Sequence, residues 1–319
     1  MLALASWSQE LRDFVERWKR EGTGLDEERW GDNPFPRFYP QERASTWKEF
    51  VDWQDQLRGS WCFRGQGDSD WGLFTSLDRA VRRETRTENT HSIIHGDRSK
   101  EFREVFFRFK QQAHLYLNHL PADDDVASWI ALMQHYGAPT PFLDWTESQY
   151  VAMYFAVEEE RGRGKSSAVW AIDMTWLERA GRRLLKGGEE ILALEPGPRT
   201  HRINALLTRN VLGEEKEAVA IRVAPAQGNE RIAVQQGILL CRLHPWASFG
   251  QTLMGMLFHT EIPDQPVIRK LVINGSMRSD CLHKLRAMNI HRASLFPGLD
   301  GFGKSLRLEL EAKELQAAL

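Results

Sequence analysis

Two hydrophobic periods are distributed unevenly along the 319 residues, and this constrains the fold more than any other feature. Apolar side chains recur at three- and four-residue steps through the first half. β-branched and alternating apolar runs concentrate in the second. Residues 1–20 place Leu11, Phe14, Val15 and Trp18 on one helical face, and Trp47, Phe50, Val51 and Leu57 repeat the pattern after a capping Ser45 or Thr46. The clearest amphipathic segment runs from Lys100 to Leu120, with Phe102, Phe106, Phe109, Ala113, Leu117 and Leu120 in phase. Helices are also predicted over 126–136, with Trp129, Ile130 and Met133 inward, and over 148–160, with Val151, Ala152 and Phe155. Strand signals fall at Trp61–Gly65, Phe142–Thr146, Ala168–Asp173, Ala218–Val223, Gly237–Leu243 and Arg269–Ile273. Without a steady β-α-β alternation, this pattern predicts an α+β domain, helices flanking a mixed, mostly antiparallel sheet. Residues 21–42 are rich in Gly, Pro and charge and read as an irregular arm. The expected organisation is therefore an N-terminal helix and arm over 1–42, a main domain over 43–310 and a tail over 311–319.

Composition removes several function classes. A formal net charge of −2 argues against a protein that coats nucleic acid nonspecifically, which would carry a basic excess. No stretch reaches the roughly 18 consecutive apolar residues of a membrane span. The opening MLALASWSQELRDF lacks a basic n-region, so a cytoplasmic protein with no membrane partner is expected. Cys62, Cys241 and Cys281 are odd in number and widely spaced, which reads as reduced thiols. His114 and His119 do not share a helix face, and His91 and His95 lack a third ligand, so no metal is expected. No cysteine or serine is spaced against a base in a way that builds a nucleophile.

Three stretches concentrate polar groups next to predicted strands. In the first, Trp61-Cys62-Phe63-Arg64 leads into the turn Gly65-Gln66-Gly67-Asp68-Ser69-Asp70. The turn fails the dinucleotide fingerprint, because Asp70 holds the third glycine position and no helix start follows it. Arg64 carries a planar, permanently charged fork, so in an apolar strand it meets either an anion from outside or an internal partner such as Asp144. In the second stretch, Gly137, Pro139 and Pro141 end a helix, and Asp144, Thr146 and Ser148 then cluster at a strand-to-helix junction. These three either contact a ligand or satisfy donors of the turn. In the third, Gln235 and Gln236 precede Gly237 at the mouth of a strand, as ribose-hydroxyl partners or as solvated amides at a bulge.

In their order, Phe63-Arg64-Gly65, Leu132–Gly137 with Thr140 and Leu143–Thr146, and Gln235-Gln236-Gly237 resemble the FRG domain family, which takes its name from the first of them. The tail Ser294–Gly301 resembles the family's closing motif, and the resemblance covers about residues 45–308. More distantly, the order resembles ADP-ribosyltransferases: an aromatic-Arg-Gly strand, a strand with Ser or Thr leading into a helix, and a later acidic residue on a strand. That likeness implies an ADP-ribosyltransferase-like core with NAD as substrate and an unidentified macromolecular acceptor. It implies catalytic roles for Arg64, Thr146 and Gln236, and NAD contacts from Phe63, Arg64, Gly65, Gln66, Asp144, Trp145, Thr146 and Gln235. Glutamine stands where the family pattern has glutamate, and Glu230, six residues earlier, is the substitute acid/base that the sequence offers. Family context implies an effector in bacterial conflict or phage defence. Two rival expectations are a non-catalytic nucleotide-sensing module and a nucleic-acid-processing enzyme guided by the basic residues of 79–110.

Overall fold

The structure, a computed structural model, describes Asp13 and residues 39–80, 99–158, 164–192, 196–226, 230–244, 248–306 and 310. The helix read over 1–20 and most of the arm lie outside these, as do residues 81–98 of the basic stretch and the tail over 311–319.

The first elements are strand β1 (Gln41–Ala44), helix α1 (Trp47–Asp55), strand β2 (Trp61–Gln66) and the short helix α2 (Ser76–Ala80). Thr46 caps α1 in a capping box, its hydroxyl accepting from Glu49 N at 3.2 Å while the Glu49 carboxylate accepts from Thr46 N at 3.0 Å. Next come α3 (Ser99–Ala113), α4 (Val126–His135), β3 (Phe142–Thr146), α5 (Gln149–Val157), β4 (Ser167–Asp173) and α6 (Met174–Leu184). Ser148 caps α5 by accepting from Val151 N at 3.3 Å. Helices α7 (Gly188–Leu192) and α8 (Pro196–Leu207), the latter ending in a π turn over Thr208–Leu212, lead to β5 (Ala220–Val223). The chain then forms α9 (Glu230–Val234), β6 (Gly237–Arg242), α10 (Phe249–His259), β7 (Ile268–Ile273), α11 (Arg278–Ala287) and α12 (Arg292–Leu295). Residues 299–306 are also helical.

Among the described residues the strands form one seven-stranded sheet in the order β1-β7-β4-β2-β3-β6-β5. The β1–β7 pair is parallel and the other pairs are antiparallel, giving the α+β fold the periodicities predict. Both faces of the sheet are covered. Cys62, Trp170 and Ile172 join a core with α4 and α10, whereas their alternating neighbours Phe63, Val169 and Ala171 join a second core with α5 and α11. Strand β7 is buried along its whole length despite Arg269 and Lys270. Arg269 is neutralised by Glu42, with N···O distances of 2.7 and 2.8 Å. Lys270 donates to the carbonyl of Ser69 at 2.6 Å.

Two elements depart from the sequence reading. Gln41 and Glu42, assigned to the arm, belong to β1, because pairing to β7 supplies hydrogen bonds that no local pattern announces. Helix α3 ends at Ala113 and does not continue to Leu120, and Leu115 and Tyr116 project into solvent. Pro121 disfavours helical backbone at Leu120, so the segment approaching it has no reason to stay helical. The three cysteines are buried free thiols. Burial pushes the Cys241 and Cys281 thiols up to about 12, which removes them as nucleophiles at neutral pH. No helix among the described residues is long and apolar enough to cross a membrane.

Candidate functional site

β2 is the central strand, and its two neighbours hold it very differently. It pairs with β4 along its whole length, from Trp61↔Asp173 to Gln66↔Ala168. With β3 it is in register only at Phe63↔Thr146, and beyond that pair Trp145 and Asp144 pair with Ile238 and Leu239 of β6. The sheet therefore splits between β2 and β3. A cavity of about 760 Å³ opens at the split, lined by both strands, by the turn after β2 and by residues just before β6.

Arg64 stands at the point of separation. Its Nη1 donates to the main-chain carbonyl of Asp144 at 2.5 Å, restoring across the gap a bond that strand pairing no longer makes. Its Nε is buried without an acceptor, and among the described residues no carboxylate forms an ion pair with it. Burial holds the guanidinium below its ordinary value, the Asp144 charge works against that, and the Arg79 charge works with it. The internal partner is thus the Asp144 carbonyl.

The turn forms a braced wall. Gln66 is buried and uses both ends of its amide, accepting from Trp170 Nε1 at 2.7 Å and donating to Gly72 O at 3.0 Å. Ser69 receives Lys270 on its carbonyl and donates from its own N to Ser166 O at 2.9 Å. Lys270 lies 4.7 Å above the Trp170 ring, and burial lowers its pKa to about 8 against the opposing charges of Asp70 and Asp68. Gly65 answers to packing: a Cβ there would sit 2.0 Å from the carbonyl of Ala152 and 2.5 Å from the N of Ala156, both in α5. Only glycine lets that helix lie this close to the central strand.

On the opposite wall, Asp144 is exposed to the cavity and its Oδ1 accepts from Gln134 Nε2 at 2.6 Å. The Thr140 hydroxyl donates to Gln134 Oε1, so a helix end, a proline-stiffened link and a strand are chained together. Thr146 is buried and fully engaged, donating to Gln235 O at 2.7 Å and accepting from Ser148 N at 3.0 Å. Trp145 also lines the cavity, is 3 % exposed, and has a buried indole Nε1 with no acceptor.

Phe63↔Thr146 and Thr146↔Gly237 form one row across β2, β3 and β6. At about 4.8 Å per strand step, the row spans about 10 Å. Phe63, Arg64, Gly65, Gln66, Asp144, Trp145, Thr146 and Gln235 accordingly line the same cavity. The cavity lining does not include Gln236 or Glu230, so the structure does not bring these two together with the other expected site residues. Gln236 adopts a left-handed backbone with φ 48°, its carbonyl accepts from Glu147 N at 2.9 Å, and its side chain is exposed. The residue serves as the hinge that turns the chain into β6. Glu230 begins α9 and is exposed.

Sequence reasoning missed the aromatics Trp71 and Phe74, the cations Arg79 and Arg231, and Glu158, all of which line the cavity. Glu158 is buried and accepts from Tyr154 Oη at 3.0 Å and from Arg292. Arg231 lies 4.5 Å over the ring of Phe296, and Gln235 Nε2 donates to Leu295 O at 2.9 Å. The tail motif around Ser294–Gly301 thereby braces the rim. That motif was the one signal in the sequence pointing to this side, but it named no partner. Residues 59–165 match the FRG domain family, a span that holds β2, β3 and α5. No curated protein and no solved structure matches the chain.

Proposed function

We propose, from the premise that residues 59–165 form an FRG domain, that the cavity binds NAD and that the protein transfers its ADP-ribose to a macromolecular acceptor or to water. One observation carries the reading: Arg64, Thr146 and Gln235, from three separate motifs, line one cavity at the split of the sheet. A volume of about 760 Å³ suits a dinucleotide-sized ligand among ordinary ligand pockets. Arg64 offers a guanidinium with no direct ion pair among the described residues to a diphosphate, and Trp71 and Phe74 add aromatic surface to the lining where a base or nicotinamide would lie. Cleaving the nicotinamide bond builds positive charge on the ribose, so the site must position the ligand, exclude water and present negative charge. Family resemblance adds a setting in bacterial conflict or phage defence.

The test is direct. Purified protein mixed with NAD releases nicotinamide, and Arg64→Ala lowers NAD affinity at least 100-fold by calorimetry. A wild type that binds NAD tightly and leaves it intact replaces this reading with the nucleotide-sensing module, which the glutamine at position 236 favours. Absence of binding removes both.

A further inference from the structure

We infer that Asp144 is the carboxylate that acts on the ribose in the reaction proposed above, an inference that rests on that reading. The expected glutamate position holds Gln236, and neither Gln236 nor Glu230 reaches the cavity lining. The carboxylates that do are Asp68, Asp70, Asp144 and Glu158. A carboxylate that stabilises a cationic ribose or takes a proton has to be fixed in direction while keeping its negative charge. Glu158 is fixed, but by a cation: Arg292 donates to the oxygen that also accepts from Tyr154, so its charge is already compensated. Asp68 spends one oxygen on Asp70 N at 2.9 Å, and both aspartates act on the charge of the buried Lys270.

Asp144 stands apart by what holds its carboxylate. Its carboxylate is gripped at 2.6 Å by a neutral amide, Gln134, which the Thr140 hydroxyl holds in turn. Its main chain is pinned by Arg64 on one side and by the Leu239 pairing on the other. The result is a carboxylate held in direction by a neutral amide, on the wall that meets Arg64, whose charge it feels through space with no direct ion pair among the described residues. Gln134 and Thr140 act through Asp144 and are positioning residues.

The step balances without a redox partner. The bond between ribose C1′ and the nicotinamide nitrogen breaks, and its electron pair leaves with neutral nicotinamide. The positive charge left on the ribose is stabilised by Asp144. A hydroxyl, amine or ring nitrogen of the acceptor, or a water molecule, then forms the new bond to C1′. The proton it sheds passes to the Asp144 carboxylate and on to solvent. With water the sum is NAD plus water giving ADP-ribose, nicotinamide and one proton.

The experiment measures NAD binding by calorimetry and nicotinamide release by single-turnover and steady-state kinetics, on the full chain. It compares the wild type with Asp144→Asn, Asp144→Glu, Gln134→Ala and Glu230→Gln. Asp144→Asn is expected to bind NAD within about threefold of wild type and to release nicotinamide at least about 100-fold more slowly, the usual scale for a lost acid/base group. Asp144→Glu recovers part of the rate, and Gln134→Ala lowers kcat about tenfold with KM unchanged. Near-wild-type release by Asp144→Asn overturns the assignment, as does a loss that follows Glu230→Gln in its place. Should Asp144→Asn fail to fold, Gln134→Ala decides: an unaltered kcat overturns the assignment. A wild type that neither binds nor cleaves NAD is a separate result, and it removes the reading on which the assignment stands.

Discussion

Arg242 and Arg64 both project from interior strands of one sheet, and the chain satisfies them in opposite ways. Arg242, the last residue of β6, is buried against the buried Asp78, and its Nη1 also donates to His244 O at 3.1 Å. Asp78 is held in turn by Thr75 N at 2.8 Å. This pair fastens α2 to the sheet. Among the described residues Arg64 is paired directly with no carboxylate, and it is bonded to the carbonyl of Asp144 beside an open cavity. A buried cation with a built-in counter-charge is scaffolding, whereas the half-buried Arg64, bonded to a carbonyl, keeps donors on the cavity side.

The largest expected effect tests the scaffold side of that contrast. Asp78→Ala removes the carboxylate that faces Arg242 in the core and costs about 3–5 kcal/mol, read by urea unfolding. Arg64→Met in the same assay costs about 1.5–3 kcal/mol, one hydrogen bond to a charged donor, while NAD binding is lost. If the two costs are equal, Arg64 is scaffolding as well. A smaller effect comes from Gly65→Ala, whose Cβ would strike the backbone of α5 and cost about 1–3 kcal/mol as overpacking does. A variant of wild-type stability that no longer binds NAD would assign this glycine to the ligand instead.

The smallest effect concerns Lys270, a buried cation satisfied by a carbonyl under the turn. Its folded value of about 8 lies below the ordinary 10.5 of lysine. Between those values the unfolded chain binds the proton and the folded chain does not, so this group makes stability rise with pH across that window. Below about 8 both states are protonated and the contribution is flat. Wild type therefore gains Tm relative to Lys270→Met as pH rises from about 8 to about 10. A constant difference would mean that the ammonium is not desolvated by the turn.

The scaffold was more legible in the sequence than the site, because its signals are local. The capping box of α1 needs only Thr46 and Glu49, and the apolar phase of α4 or α5 is contained within a few turns. The contacts that build the site are long-range. Arg64 reaches Asp144 across 80 residues, and Thr146 reaches the Gln235 carbonyl across 89. The motifs did announce that these stretches matter, but not what each residue does. Gly65 proved to be a packing glycine, Gln66 a brace and Thr146 a strand fastener. Gln134, absent from the expected site residues, holds the carboxylate of Asp144.

Sequence alone determined the α+β character, most of the strands and helices, and the three stretches that meet at the centre of the sheet. It could do so because hydrophobic period and turn chemistry are properties of neighbouring residues. Only the tertiary structure decided that β2 and β3 part after a single pair, that Arg64 meets the gap with no carboxylate in direct ion pair among the described residues, and that Gln236 and Glu230 stand outside its lining. Those facts depend on which strands find each other. Strand pairing is set by burial and register summed over the whole sheet, and no single segment carries that information.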